Sequence, residues 1–339
     1  MNGTGSVGAS NLSPEEIAER MNELIPLLQE LIGLDQHKAV EFVTNWGGPL
    51  GSWIVLQLMM IFVGVSAGLK LALIATIAFV TNSWLKWIIA EPRPFHTDSE
   101  IVAFGAVGDF GMPSGHAQGA AAFWGGLAWM WRSKRWLFIA LVLFALTVGL
   151  TRVYLGAHSP AQVLVGLALG FVVAYVVLVT WPKLTERLSL VSWDMRWLLL
   201  AGVSMAALLV SEIILALNAG FVVPEAWIEG YMRAEGVDGA TAEDLSLFTN
   251  SSLLIVGMGS GFGALALLHE RWSCAIETLS QKWLAFGAAV VINLVLIVGL
   301  GISLGSDLAV LVFAIALLQP VLVLYLPMRL LHRRKERES

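Results

Sequence analysis

Long apolar runs separated by short polar segments dominate the chain after residue 50. A membrane-spanning helix needs about 20 mostly apolar residues, and fewer where neighbouring helices bury it. The predicted fold class is therefore all-α, a polytopic membrane protein with about nine transmembrane helices. The nine predicted spans are residues 51–69, 70–89, 115–131, 136–152, 160–181, 197–217, 251–268, 283–303 and 306–327.

The same pattern divides the chain into four regions. Residues 1–50 precede the spans, and within them residues 13–32 have apolar positions at helical spacing but too many glutamates for a span. We expect an amphipathic helix there, lying on the membrane surface or on the protein. Residues 51–217 hold six spans, residues 218–250 form an acidic loop, and residues 251–339 hold three more spans and a basic tail.

Glycines recur every second residue in the seventh predicted span, from Gly257 to Gly263. Small residues allow membrane helices to pack closely. We therefore predict a packing role for this run and no catalytic one.

Composition supports a membrane protein, since 57% of the 339 residues are hydrophobic and only 13% are charged. A soluble domain carries about 25% charged residues. A soluble enzyme, a disordered chain and a coiled coil are thereby excluded. The single cysteine, Cys274, cannot form an intramolecular disulfide or a thiolate metal cluster.

The basic residues predict the orientation of the spans. With the N-terminus outside, 14 of the 20 Lys and Arg residues fall in the inner loops and the tail, whereas the loop 218–250 has several acidic residues and only Arg233. The positive-inside rule then favours an outer, periplasmic or lumenal, N-terminus and a cytoplasmic C-terminus. The tail is expected to contact anionic headgroups, so no nucleic-acid partner is predicted.

Candidate chemistry is concentrated in three segments at the predicted outer ends of spans. Ionisable groups at such depth are costly and are functional candidates by default. Three cationic groups, two histidines and a Ser-Gly helix start suit a phosphate dianion, with one histidine as nucleophile and one as acid. The residues are Lys86 and Arg93 in KWIIAEPRPF, Ser114, Gly115 and His116 in GMPSGHAQG, and Arg152, His158 and Gln162 in TRVYLGAHSPAQ.

These segments resemble the three signatures of the type 2 phosphatidic acid phosphatase (PAP2) superfamily, which are K-x6-RP, PSGH and SR-x5-H-x3-D. The resemblance covers residues 86–162 and includes two departures. Thr151 replaces the serine of the third signature, and Gln162 replaces its acid. An amide oxygen can still accept the imidazole N–H, but it stabilises an imidazolium less than a carboxylate does.

The resemblance implies a six-helix catalytic bundle in residues 51–217 and a site that needs no metal ion or other cofactor. It implies that His158 attacks phosphorus to form a phosphohistidine. His116 would protonate the leaving oxygen and later activate water, and Gln162 would orient His158. The phosphate-binding residues would be Lys86, Arg93, Ser114, Gly115 and Arg152.

The implied function is a membrane-embedded phosphatase that hydrolyses a lipid phosphate, such as phosphatidate, a sphingoid phosphate or a prenyl diphosphate, on the outer or lumenal side. Its partners would be this substrate and the lipid bilayer. A sugar phosphatase is the alternative, because the glucose-6-phosphatase branch is similar in having His-x-Pro-x-Gln, Lys-Trp-Ile and nine spans. A further alternative is a catalytically inactive protein that binds or transports phospholipid. Loss of the acid at position 162 would lead to such a protein. Vanadate haloperoxidases share the phosphate site but are soluble.

Four polar residues outside the signatures are also candidates. Glu212 lies inside the sixth predicted span, where it could contact substrate or a proton. His96 could border the site, although a surface position is the simpler expectation. Glu91 and Asp109 lie beside the signatures, where each could tune a local pKa or repel an unsuitable headgroup.

Overall fold

The computed structural model is all-helical, as predicted, and contains no strand in the residues it describes. Several predicted features lie outside those residues: the start of the amphipathic helix at 13–19, part of the acidic loop at 242–247, and the basic tail at 328–339. The described residues are 20–105, 108–241, 248–271, 278–304 and 309–327.

Helices follow one another with short connections through the described ranges. A 3-10 turn, Leu34–Gln36, precedes α2, and the π-helical turns Met59–Val63 and Val321–Tyr325 continue α3 and α13. The helices are α1 (Leu24–Ile32), α2 (His37–Gly47), α3 (Pro49–Leu58), α4 (Val65–Ile89), α5 (Pro94–Thr97), α6 (Gly115–Met130), α7 (Arg135–Tyr154), α8 (Pro160–Ser189), α9 (Trp193–Leu217), α10 (Glu225–Glu235), α11 (Phe248–Arg271), α12 (Leu279–Leu304) and α13 (Ala309–Pro320).

Helix α6 is the centre of the fold. Its residues 117–128 are all buried, and it packs against α4, α7 and α8. The close approach of α8 requires glycine, because a Cβ atom on Gly170 would lie 2.3 Å from the carbonyl oxygen of Gln118. A Cβ atom on Gly166 would similarly lie 2.7 Å from the carbonyl oxygen of Ser114. The first turns of α8 are therefore held beside the first turn of α6.

The glycines of α11 also allow close helix packing, which confirms their predicted role. A Cβ atom on Gly259 would lie 2.4 Å from Thr76 Cγ2 of α4. On the opposite side of α11, a Cβ atom on Gly261 would lie 2.3 Å from the carbonyl oxygen of Leu317 in α13. The C-terminal helices thereby pack directly on the bundle that contains α4.

Several helices are long and apolar enough to cross a membrane, which supports a multi-pass membrane protein. In the described part of the chain there are four: Val65–Thr97, Arg135–Tyr154, Pro160–Ser189 and Trp193–Leu217. Leu34–Gly47 and Pro49–Val63 pass the same test only as a pair, bent by 41°. The apolar stretches Val256–His269 and Leu279–Ile292 are shorter. The count of nine spans thus stays a prediction.

The predicted boundary between the first two spans, after residue 69, is wrong by several residues. The break falls at Gly64, whose φ of 146° is a conformation that other residues rarely adopt. Lys70, one of the 14 basic residues counted above for the inner loops and the tail, lies within α4, and its ammonium is 5.9 Å from the centre of the Trp181 ring. Its polarity therefore does not mark a helix end.

The N-terminal helix α1 packs on the protein. Ile25 is fully buried, and Gln29 Nε2 donates hydrogen bonds to the carbonyl oxygens of Val102, at 2.7 Å, and Tyr154, at 2.9 Å. Tyr154 is the last residue of α7. Helix α1 is consequently attached at the end of the bundle where the third signature lies.

Candidate active site

Residues from three chain segments meet at one end of the bundle, around the side chain of Arg93. Arg93 Nε donates to the carbonyl oxygen of Asp109 at 2.9 Å, and Nη2 donates to the Asp109 carboxylate. Arg93 Nη1 donates to the carbonyl oxygen of Ala157 at 2.7 Å and to His158 Nε2 at 3.0 Å. One guanidinium thus connects the first signature, the loop before α6 and the third signature.

Lys86 completes the cationic side of this site. Its ammonium is buried, lies 2.9 Å from Asp109 Oδ2 and donates to the carbonyl oxygen of Phe110. Burial disfavours the charged form of Asp109, but the nearby charges of Arg93 and Lys86 outweigh it and hold the pKa of Asp109 below its usual range. The Asp109 carboxylate is therefore ionised and lies between two cations.

His158 is buried between α7 and α8, with its two ring nitrogens in different surroundings. Nδ1 lies 2.9 Å from the carbonyl oxygen of Gly111 and 3.2 Å from Gln162 Oε1. Both neighbours are acceptors, so Nδ1 carries the proton and the lone pair of Nε2 faces Arg93. Burial, followed by nearby positive charges, holds the pKa of His158 well below 6.5. His158 is thus neutral at neutral pH.

Gln162 lies at the start of α8 and serves two structures at once. With Ser159 it forms a capping box: Gln162 N donates to Ser159 Oγ, and Ser159 N donates to Gln162 Oε1, both at 3.2 Å. The same amide oxygen faces His158, while Nε2 donates at 2.8 Å to Glu91 Oε1 and to the carbonyl oxygen of Pro92. The side chain that caps the helix therefore also contacts the imidazole of His158.

The second signature lies at the start of α6, next to Gln162. Ser114 is buried, its N–H donates to the carbonyl oxygen of Gln162 at 3.0 Å, and among the described residues its hydroxyl has no hydrogen-bond partner. Gly115 is the first residue of α6, so the backbone N–H groups of that turn are unpaired within the helix. The ring of His116 packs on Gly48, where a Cβ atom would lie 2.9 Å from His116 Cδ2.

Arg152 shapes the turn that presents His158. Its carbonyl oxygen accepts from the N–H groups of Ala157 and His158, both at 3.2 Å, immediately after the end of α7. Its side chain is buried, and Nε has no hydrogen-bond partner in the part of the chain that is described. The positive charge of Arg152 also lowers the pKa of His158.

Several residues of this network have no counterpart in the sequence prediction. Asn82 Nδ2 donates to the carbonyl oxygen of Pro113 at 3.1 Å and to Gln118 Oε1 at 2.9 Å, which supports the turn before α6. Asn82 lies one helical turn before Lys86. An amide side chain inside an apolar span can be recognised in the sequence and would have marked Asn82 as a candidate. Gly111 contributes only backbone atoms, for which the sequence offers no signal.

The structure places the four candidate residues outside the signatures in different surroundings. Glu91 and Asp109 both contact site residues. The surface position expected for His96 is wrong, because the ring is buried and its Nδ1 accepts from Arg93 N at 3.2 Å. Glu212 is exposed on α9 and takes no part in the contacts described above. In the described ranges no group of three His, Cys, Asp or Glu residues could hold a metal ion.

Helix α10, from the acidic loop, packs against the first signature. Arg233 Nη2 donates to the carbonyl oxygen of Phe95 at 3.2 Å. The Trp227 ring stacks on His96, with centroids 6.0 Å apart, and lies 6.4 Å from the Phe110 ring at 82°. The described part of the acidic loop thus forms an aromatic wall beside Lys86 and Arg93.

Comparison with known proteins identifies a family for part of the chain. Residues 67–186 match the model of the PAP2 superfamily. The predicted resemblance is therefore confirmed for this segment, which contains all eight predicted site residues.

Three curated relatives each match about a third of the chain. A lipid A 4'-phosphatase from Bacteroides thetaiotaomicron is 35% identical over 130 residues, which cover 35% of this chain and 56% of that protein. An undecaprenyl-diphosphatase from Sulfolobus acidocaldarius is 31% identical over 121 residues, covering 35% of this chain and 58% of that protein. A glucose-6-phosphatase catalytic subunit 1 from Haplochromis nubilus is 35% identical over 137 residues, covering 32% and 39%. The chain spans less than two thirds of each relative's length.

Proposed function

We propose that the protein is a membrane-embedded phosphatase that hydrolyses a lipid phosphate through a phosphohistidine intermediate. The observation that carries the proposal is the state of His158. Its Nδ1–H is held by two carbonyl oxygens and its Nε2 lone pair faces Arg93. A neutral, oriented nucleophile beside buried cations is what phosphoryl transfer requires.

In the first step, His158 Nε2 donates its lone pair to phosphorus while the bond from phosphorus to the leaving oxygen breaks. His116, in its protonated form, gives its proton to that oxygen. The imidazole gains positive charge, and its Nδ1–H remains bonded to Gln162. The charge on the three equatorial phosphoryl oxygens is offset by Lys86, Arg93, Arg152, the Ser114 hydroxyl and the Gly115 amide.

In the second step, water attacks phosphorus and His116 takes the proton of that water. The bond between phosphorus and Nε2 breaks, and its electron pair returns to His158. Inorganic phosphate leaves and His116 is again protonated, so the cycle is complete. These steps require no metal ion or other cofactor.

A lipid substrate is supported by the location of the site and by two relatives. The site lies at the end of helices that are long and apolar enough to cross a membrane. Two of the relatives are named for lipid A and for undecaprenyl diphosphate. We propose a phosphatidate, a sphingoid phosphate or a prenyl diphosphate as substrate.

A sugar phosphate is the second candidate substrate. It is favoured by Gln162, whose amide lies 3.2 Å from His158 Nδ1 where the superfamily usually has an acid. The glucose-6-phosphatase relative supports it as well. This candidate predicts activity on a soluble phosphate ester without dispersed lipid.

The proposal is tested by phosphate release from the purified full-length protein in EDTA. The substrates are phosphatidate, sphingosine phosphate, a prenyl diphosphate and glucose 6-phosphate. Release that His158→Ala abolishes and that the control His37→Ala retains is the expected result. The best substrate then separates lipid from sugar. No release from any substrate would contradict the proposal and favour a phospholipid-binding or transport protein.

We propose further that the site and N-terminus face the periplasm or lumen. Ala240 lies at the predicted outer side, so Ala240→Cys in a Cys274→Ser background provides the probe. Labelling of intact cells by a membrane-impermeant maleimide is expected. Labelling that occurs only after lysis would reverse the orientation.

A further inference from the structure

We infer that Glu91 is a positioning residue whose carboxylate acts on His158 through the side-chain amide of Gln162. It thereby supplies, one hydrogen bond further away, the negative charge that the superfamily usually carries at position 162. The inference rests on the proposed function, because it concerns the same nucleophile.

The Gln162 amide has one possible orientation. Its Oε1 accepts from Ser159 N at 3.2 Å and lies 3.2 Å from His158 Nδ1. Its Nε2 donates at 2.8 Å to Glu91 Oε1 and at 2.8 Å to the carbonyl oxygen of Pro92. If the amide were flipped, its NH₂ group would face two N–H donors and its oxygen would face two acceptors. All four hydrogen-bonding positions are therefore used, and the order Glu91, Gln162, His158 is fixed.

The backbone holds Glu91 at this place. Helix α4 ends at Ile89 and is followed by Ala90, whose φ of 49° is left-handed and whose N–H donates to the carbonyl oxygen of Lys86 at 2.8 Å. The carbonyl oxygen of Glu91 then accepts from Gly111 N at 2.8 Å. Gly111 also lets the chain pass close to the amide, since a Cβ atom there would lie 2.4 Å from Gln162 Nε2.

The arrangement explains how a neutral amide can replace an acid next to His158. A carboxylate that accepts from Nε2 polarises the amide, which makes Oε1 a stronger acceptor for Nδ1–H. This matters most when attack on phosphorus gives the imidazole a positive charge. A carboxylate at position 162 would instead lie against Glu91, and two like charges at that distance repel each other. Glu91 and Gln162 are thus a matched pair.

Three variants separate the charge of Glu91 from its hydrogen bond. Glu91→Gln keeps an oxygen that accepts from Gln162 but removes the charge. The double variant Glu91→Gln/Gln162→Glu moves the carboxylate to contact His158 directly and keeps the number of charges. Gln162→Glu alone places two carboxylates together. Glu100→Gln, an exposed carboxylate nearby, is the control.

We expect Glu91→Gln to lower kcat by about 10- to 100-fold, by analogy with the loss of partners that orient metal-bound histidines. KM should stay within about twofold, because Glu91 does not touch substrate. The double variant should recover most of the lost kcat, whereas Gln162→Glu alone should be slower than the double variant. A purely structural role would give no such recovery.

The outcomes distinguish this inference from the proposed function. The role of Glu91 is wrong if Glu91→Gln keeps the wild-type kcat, or if the double variant does not recover the kcat that Glu91→Gln loses. In either case, turnover that depends on His158 would still support the proposed function. A raised KM with unchanged kcat would also overturn it. If the wild-type protein shows no His158-dependent turnover, both proposals fail.

Discussion

The carboxylate of Asp109 lies 2.9 Å from the ammonium of Lys86 and also accepts from the guanidinium of Arg93. Its two oxygens thus bind two cations that we predicted to bind phosphate. On the proposed function, a phosphoryl group bound by Lys86 and Arg93 would have to displace this carboxylate, so Asp109 would compete with the substrate for the same charges.

Asp109→Asn is therefore expected to strengthen inhibition by inorganic phosphate. The variant removes the competing charge and leaves Lys86 and Arg93 available to the anion. We expect the inhibition constant to fall roughly tenfold, which corresponds to about 1.4 kcal/mol. Inhibition of phosphate release is the measurement, with Asp98→Asn in the same loop as control. Weaker inhibition in Asp109→Asn would mean that Asp109 chiefly holds the two cations in place.

The stability of the protein should depend on pH through the same carboxyl. Burial opposes ionisation of Asp109, but Arg93 and Lys86 hold its pKa below the usual range. Such a group contributes stability that is fully present above its unfolded-state pKa, about 3.9, and is lost as pH falls towards the folded-state pKa. Asp109→Asn should be less stable than wild type at pH 7, and the difference in Tm should shrink below about pH 4. Parallel Tm curves for the two proteins would contradict this.

The local sequence was sufficient to predict where the three signatures lie, because each signature consists of a few neighbouring residues at a helix end. The structure brings Lys86, Arg93, His158 and Gln162 into one contact network. Their catalytic roles stay predictions. The helix break at Gly64 could not be placed, since apolar residues continue on both sides and the break depends on backbone conformation.

Contacts between residues that are far apart along the chain could also not be predicted from the sequence. Glu91 and Gln162 are 71 positions apart and meet only because α4 ends at Ile89 and α8 begins at Pro160. The burial of His96 depends in the same way on α10, which packs over it from the loop after α9. A pattern of hydrophobicity records which residues are apolar, but it does not record which loop covers which helix end.

The capping and orienting roles of the α8 start can be separated by two variants. Ser159→Ala removes the hydroxyl that accepts from Gln162 N, and loss of such a cap costs about 1 kcal/mol of stability. Since the Gln162 amide keeps its contact with His158, kcat should change little. Gln162→Ala removes the contact with His158 and the bond from Ser159 N, while the backbone N of residue 162 still donates to Ser159 Oγ. We expect kcat to fall by about 10- to 100-fold, by analogy with the partners that orient metal-bound histidines. Thermal unfolding and initial rates are measured on both variants. Equal kcat in the two variants would show that Gln162 only caps the helix.

The close approach of α6 and α8 determines whether the second and third signatures remain together. A Cβ atom on Gly170 would lie 2.3 Å from the carbonyl oxygen of Gln118 and 2.7 Å from Ala121 Cβ. Neither atom can move without moving α6, so Gly170→Ala must push the two helices apart. We expect the free energy of unfolding to fall by about 1–3 kcal/mol. Gln162 lies eight residues earlier on α8, roughly 12 Å along the axis, so turnover should fall as well.

Gly202→Ala is the matched control for this change. Gly202 lies on α9, and among the described residues no atom outside the adjoining turns of α9 would lie within 4 Å of a Cβ atom there. Since alanine favours a helix over glycine by about 1 kcal/mol, Gly202→Ala should leave the thermal unfolding temperature unchanged or slightly higher, with full activity. Unfolding of both variants in the same detergent is the measurement. If Gly170→Ala were as stable and as active as Gly202→Ala, contact between α6 and α8 would not hold Ser114 beside Gln162.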